Sequence, residues 1–154
     1  MKMPPIEKVY EAWSALADGR VKIDPESTVE TGKALVGSSD DAKEYTVTWR
    51  EGDIYTSNDN ATYWQLYPGY PIIAVLMLQH RLPEPSAELL AKFGGINWNA
   101  VNKAAKGNYA KAFAEAAAEA GIPVENARSE AETVMSQLSA LPLSIKRGSL
   151  RPPK

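Results

Sequence analysis

The chain has 154 residues, a formal net charge of −2 and no cysteine. These features exclude disulfides, thiolate metal sites, iron–sulfur clusters and cysteine nucleophiles, and they argue against wholesale nucleic-acid coating, which needs a strongly basic domain. A hydrophobic fraction of 44% and a charged fraction of 23% are ordinary for a globular chain long enough to bury a core without staples.

Met1-Lys2-Met3-Pro4-Pro5 enters a helical pattern directly, without the apolar core of a secretory leader. Ile6, Val9, Tyr10, Trp13, Leu16 and Ala17 recur at three- and four-residue spacing and predict a helix with one apolar face. Glu7 in its first turn suits the helix dipole, and Gly19 is placed as a stop. Val21 and Ile23 can form a short strand, and Lys33–Gly37 reads as another. Tyr45, Val47 and Trp49 alternate with Thr46, Thr48 and Arg50, which is the clearest strand pattern in the chain. Glu51-Gly52-Asp53 turns it into a partner, Ile54–Ser57. A three-stranded antiparallel meander is expected, with room for a short fourth strand.

Asn58-Asp59-Asn60 breaks the sheet and can cap a helical turn through Tyr63-Trp64-Gln65. Pro71 fits the first position of a helix. The run Ile72–Leu78 is apolar all round, so periodicity alone does not separate a buried helix from a buried strand. It is the longest apolar run and far short of the roughly 20 residues a bilayer span needs, so a soluble, cytoplasmic protein with no membrane partner is expected. Pro83 and Pro85 then mark a linker.

Ser86 caps a helix through Phe93, and Gly94-Gly95 stops it. Trp98–Val101 opens another helix, Gly107 breaks it, and Asn108 caps the alanine-rich Tyr109–Ala120. After Gly121 and Pro123, a last helix carries a narrow stripe of Val124, Ala127, Ala131, Val134, Leu138 and Leu141. That stripe can seat a partner helix, a twofold mate or the chain's own alanine-rich helix. Lys146–Lys154 holds no acid and reads as an extended or disordered tail. The expected fold is α+β: an N-terminal helix, the meander and a buried helix over residues 1–82, a helical extension over 83–145, and a basic, flexible tail over 146–154.

The order of parts over Glu7–Gln79 resembles a SWIM zinc finger. Ala17-Asp18-Gly19-Arg20-Val21 looks like the turn that follows the family's upstream helix. Tyr45-Thr46-Val47 looks like its first hairpin strand, and Ile72-Ile73-Ala74-Val75-Leu76 like the helix that its second ligand pair opens. The resemblance implies that Ile72–Leu78 is helical. It places Tyr55 and Ser57 at the first ligand pair, and Gly69 and Pro71 at the second. None of these four is a zinc ligand, and structural zinc needs about four nitrogen, sulfur or carboxylate donors. The skeleton is therefore expected without the metal, held by the crowded aromatics Tyr55, Tyr63, Trp64, Tyr67 and Tyr70.

No catalytic residue stands out. His80 is the single histidine, and local sequence gives it only Arg81 and Glu84 for company, so a surface position at a helix end fits it better. Asn58-Asp59-Asn60 lacks the glycine and distal glutamate of a calcium loop. Gly94-Gly95 lacks the lysine of a phosphate loop. No metal or cofactor is expected. The reading is a non-enzymatic binding module. Lys146, Arg147, Arg151 and Lys154 of the tail, with Lys103, Lys106 and Lys111 on the preceding helices, are the candidates for nucleic-acid phosphates. Tyr63, Trp64, Tyr67 and Tyr70 are the candidates for base stacking, a protein partner or a homodimer contact.

Overall fold

A computed structural model describes residues 1–154. The chain opens with α1 (Glu7–Ala17), then β1 (Val21–Ile23), β2 (Gly32–Gly37), β3 (Glu44–Arg50) and β4 (Ile54–Ser57). Six helices follow: α2 (Asn60–Gln65), α3 (Tyr70–Leu78), α4 (Ala87–Ala91), α5 (Trp98–Ala104), α6 (Tyr109–Ala120) and α7 (Val124–Ala140). A last strand, β5 (Ser144–Ile145), closes the order. The class is α+β.

The helix starts follow the caps written in the chain. Asp59, Ser86, Asn97 and Asn108 each accept a hydrogen bond from the backbone N–H three residues on, at the heads of α2, α4, α5 and α6. Pro71 sits in the first turn of α3, where its missing N–H has no intrahelical role. Gly121 ends α6 in the left-handed region, at φ 70.

The sheet is wider than the meander expected from sequence. Its order is β1-β2-β3-β4-β5, with the first four antiparallel and β5 parallel to β4. Ser144 N donates to Asp53 O and Lys146 N to Tyr55 O, both at 2.9 Å. A parallel neighbour requires a long crossover, and here all the helices after β4 supply it. The returning chain also covers an edge that β4 would otherwise leave open.

Strand alternation divides the sheet into two faces. Ala34, Val36, Tyr45, Val47, Trp49 and Tyr55 are buried on one of them. Helix α3 lies against this face, and α1 packs on α3. Helices α4, α6 and α7 then pack on α1. Being apolar all round, α3 suits a slot between sheet and helix; Pro71 through Met77 are all buried.

Helix α1 departs from the one-faced pattern read in its sequence. Lys8 through Ala15 are buried without a break, because the C-terminal helices cover the side that the periodicity leaves polar. Tyr10 stacks on Phe113 with centroids 3.9 Å apart, and Trp13 meets Phe93 edge-on at 5.1 Å. Ser14 Oγ donates to Phe93 O and accepts from Trp98 Nε1, both at 2.7 Å. One apolar cluster of 29 buried residues therefore runs from Val9 to Leu143. Residues on both sides of position 82 contribute to this cluster, among them Val9, Trp13 and Ile73 before it and Phe113, Ala131 and Leu138 after it.

The expected flexible tail lies along the sheet. Beyond Lys146, Arg147 Nε donates to Tyr63 O at 2.9 Å, and Asn58 Nδ2 donates to Arg151 O at 3.2 Å. Residues 146–154 add no regular element but are tied to α2 and to the end of β4.

Candidate nucleic-acid interface

The other face of the sheet is not covered by a helix. Cross-strand register places Lys22 beside Leu35 and Leu35 beside Thr46, then Lys33 beside Thr48 and Thr48 beside Thr56, then Arg50 beside Ile54. Thr48 Oγ1 and Thr56 Oγ1 meet at 2.5 Å, which fixes both hydroxyls on this face. The tail then runs over the β4 side, and Gly148 passes so close to Thr56 that a Cβ there would stand 3.3 Å from its side chain. Between tail and strands lies a groove of about 250 Å³, lined by Thr46, Thr48, Arg50, Thr56, Lys146 and Arg147 among others, and by no carboxylate.

Arg147 links this groove to the aromatics. Its guanidinium lies 5.0 Å from the centroid of Tyr63 and 5.7 Å from that of Trp64, within cation–π range. The two rings meet edge-on at 4.8 Å. Trp64 is 62% exposed, so most of its surface is free for a ligand. Arg50 reaches Glu51 at 3.6 Å, but both side chains are largely exposed, and such a pair holds little energy against a competing phosphate.

The candidates named from sequence divide by location. Lys146 and Arg147 line the groove, and Tyr63 and Trp64 flank it. Arg151 and Lys154 are exposed beyond it, with the Arg151 backbone anchored by Asn58. Lys103, Lys106 and Lys111 are exposed on the helical layer, around α5 and α6, and do not join the tail. Tyr67 lies in the core and Tyr70 is half-buried against it, so neither joins the exposed aromatics, which corrects the expectation from sequence. Tyr67 is only 8% exposed. Tyr70 meets Tyr45 edge-on and donates to Gly37 O at 3.3 Å. Burial pushes both phenols above their ordinary range. Sequence reasoning missed Arg50 and the threonines as site residues. The signal was present, since the alternation that buries Tyr45, Val47 and Trp49 sends Thr46, Thr48 and Arg50 to the opposite face.

The positions that the finger resemblance assigns to ligands are all buried. Ser57 Oγ donates to Asp59 Oδ1 at 2.5 Å, and Asp59 Oδ2 accepts from Thr62 N at 3.0 Å. Thr62 Oγ1 in turn accepts from Gly69 N at 2.9 Å. A Cβ at position 69 would collide with Asp59 Oδ2 and Thr62 Oγ1, so glycine is required by close approach. Across from this knot lies the buried pair Lys8–Glu11, at 3.1 Å. Burial is the largest single influence on Lys8 and opposes its charge, but the attraction and hydrogen bond of Glu11, together with the pull of Tyr109 and Tyr67, outweigh it jointly, and Lys8 titrates above its usual value. Burial of Glu11 outweighs the help of Lys8 and raises its carboxyl. No group of three or more His, Cys, Asp or Glu side chains converges to hold a metal ion.

The chain belongs to the family described as Uncharacterised conserved protein UCP014422, whose model matches residues 1–144. The match takes in the layered α+β body, and the tail wall of the groove lies beyond it. No curated protein and no solved structure matches the chain. No helix is long and apolar enough to cross a membrane.

Proposed function

We propose that the chain is a non-enzymatic module that binds single-stranded nucleic acid across the uncovered sheet face. The observation that carries this reading is the acid-free groove with Arg50, Lys146 and Arg147 in its walls and Trp64 free at its margin. Three cations among hydroxyls supply the contacts a phosphate backbone takes. Exposed aromatics beside a cationic groove supply stacking that a single strand accepts from any base. The net charge of −2 is compatible with this, because the cations act locally rather than through the whole-molecule field. The groove has neither a carboxylate nor a histidine, and His80 is an exposed residue just past the end of α3; this favours binding over turnover. We read the first half as a zinc-free relative of the SWIM finger, a reading supported by the Ser57–Asp59–Thr62–Gly69 knot where the ligand pairs would stand.

Self-association through the last helix has less support, since Ala127, Ala131, Val134 and Leu138 of its stripe are spent in the chain's own core. The test is fluorescence anisotropy with labelled single-stranded and duplex DNA and RNA over a salt series. Neutralisation of three phosphates on a single strand gives a log–log salt slope of about −2. Binding that prefers single strands and weakens with that slope supports the reading. Absence of binding at low salt removes it.

A further inference from the structure

At the other end of the same sheet face is a second cavity, of about 520 Å³, between the turn after α1 and the β2–β3 connection. Arg20, Lys22 and Lys43 line it, together with Asp18, Asp41 and Glu44. Its central feature is Arg20, whose side chain is 8% exposed. Nη1 donates to Gly37 O at 2.5 Å, and the aliphatic part of the side chain runs beside Gly37, where a Cβ on that glycine would stand 3.8–3.9 Å from it. Tyr70 Oη also donates to that carbonyl. These contacts hold the guanidinium in one orientation.

The other two guanidinium nitrogens, Nε and Nη2, are buried and have no hydrogen-bond partner. They form one edge of the guanidinium, with two parallel N–H bonds in the spacing that carboxylate and phosphate oxygens match. A buried cation whose N–H groups lack acceptors is costly. The nearest acid is Asp18, whose Oδ2 lies 3.5 Å from Nε and makes no hydrogen bond to it. Its other oxygen accepts from Gly95 N at 2.8 Å, which ties the carboxylate to the turn after α4. Asp18 therefore covers the edge without saturating it. Lys22 and Lys43 have no ion pair within 4.0 Å. Asp41 and Glu44 are exposed, where water screens them.

We infer that this cavity is a binding site for phosphate, held two-pronged on the Nε/Nη2 edge of Arg20 after a small displacement of Asp18, and flanked by Lys22 and Lys43. The inference stands on the orphaned guanidinium edge and is independent of strand binding at the tail.

The test is isothermal titration calorimetry of the full chain with inorganic phosphate, with amide NMR shifts to locate the site. Saturable binding is expected, with shifts at Gly19, Arg20 and Gly37. Arg20→Lys keeps the charge and removes the planar fork, and it is expected to weaken binding about tenfold or more. Asp18→Asn leaves an oxygen for Gly95 N, removes the competing charge and is expected to tighten binding. Lys22→Ala and Lys43→Ala leave the Arg20–Gly37 contact in place and are expected to weaken binding about two- to fivefold. No saturable binding overturns the inference. So does binding that the Asp18 and lysine variants leave unchanged, because Arg20 is then a structural partner of Asp18 alone.

Discussion

Asp59→Ala tests whether hydrogen bonds hold the strand–helix junction where the finger resemblance puts a metal. Asp59 is 4% exposed and takes two bonds, one from the Ser57 hydroxyl and one from Thr62 N. Losing the N-cap of α2 costs about 0.5–2 kcal/mol. Ser57, 3% exposed, is left with a buried hydroxyl and no acceptor, which costs about 1–3 kcal/mol. The two losses share one side chain and relax together, so a total of about 2–4 kcal/mol is expected, a large part of a marginal stability of roughly 5–15 kcal/mol. With a urea dependence of about 2 kcal/mol per M, the unfolding midpoint moves down by about 1–2 M with an unchanged slope. Asp59→Asn keeps an acceptor for Thr62 N and falls between the two. Circular dichroism against urea, with and without a chelator, is the assay. A loss in Asp59→Ala below about 0.5 kcal/mol would refute the reasoning, since surface substitutions away from such features already reach that size. A chelator that lowered the wild-type midpoint would refute it separately, by showing that a metal carries the load assigned to hydrogen bonds.

Three further outcomes are expected. Ser14→Ala strands Trp98 Nε1, whose residue is 3% exposed, and is expected to cost about 1–3 kcal/mol in urea unfolding; a neutral result would mean that the helical layer does not depend on this link. Arg147→Ala is expected to reduce the steepness of the salt dependence for single strands by about 0.7, and Trp64→Ala to cost about 1–3 kcal/mol of affinity. Both residues are exposed, so thermal midpoints are expected to move little, and a variant that unfolds early would disqualify that comparison. Hydrogen bonds from Ser38 and from Ala42 N lower the Asp40 carboxyl from 3.8 to about 2. A carboxyl with a depressed folded-state pKa contributes stability above its unfolded value and loses it as pH falls through the folded one. The Asp40 contribution is therefore full above about 3.8 and disappears toward about 2; carboxyl NMR titration checks the value, and Asp40→Asn is expected to flatten stability across that window.

Much of the helical half is legible in the sequence because its signals are local. Ser86, Asn97 and Asn108 are caps whose partners lie three residues on, and Gly121 terminates α6 by its own backbone geometry. The strands β2 to β4 are legible for the same reason, since alternation is a property of a few neighbouring residues. Strand β5 is not. It has two residues, and its pairing with Ile54 and Tyr55 is decided by where a crossover of some 85 residues delivers the chain. The burial of Lys8 and Glu11 is equally non-local. Each charge reads as solvent-facing in the helical pattern, and what covers them comes from elements far along the chain, including Tyr109, whose ring lies 4.5 Å from Lys8 Nζ.

The same distinction explains how the candidate interface was partly visible. An acid-free run of tail residues announces cations, but charge composition does not say which of them share a surface. Lys103, Lys106 and Lys111 lie closer in sequence to the tail than Arg50 does, yet it is Arg50 that lines the groove with Lys146 and Arg147. Parallel docking of β5 beside β4 makes the difference, because it directs the tail over Thr56 and the outward face of β3. A substitution that disrupted β5 while preserving every tail cation would therefore be expected to weaken strand binding as much as removing Arg147. Ile145→Pro is such a change. It places a ring and a fixed φ in a two-residue strand, and leaves Lys146 and Arg147 in the sequence. If Ile145→Pro bound single strands as tightly as the wild type while remaining folded, the cations would be acting as a mobile charge cluster, and the groove itself would have no part in recognition.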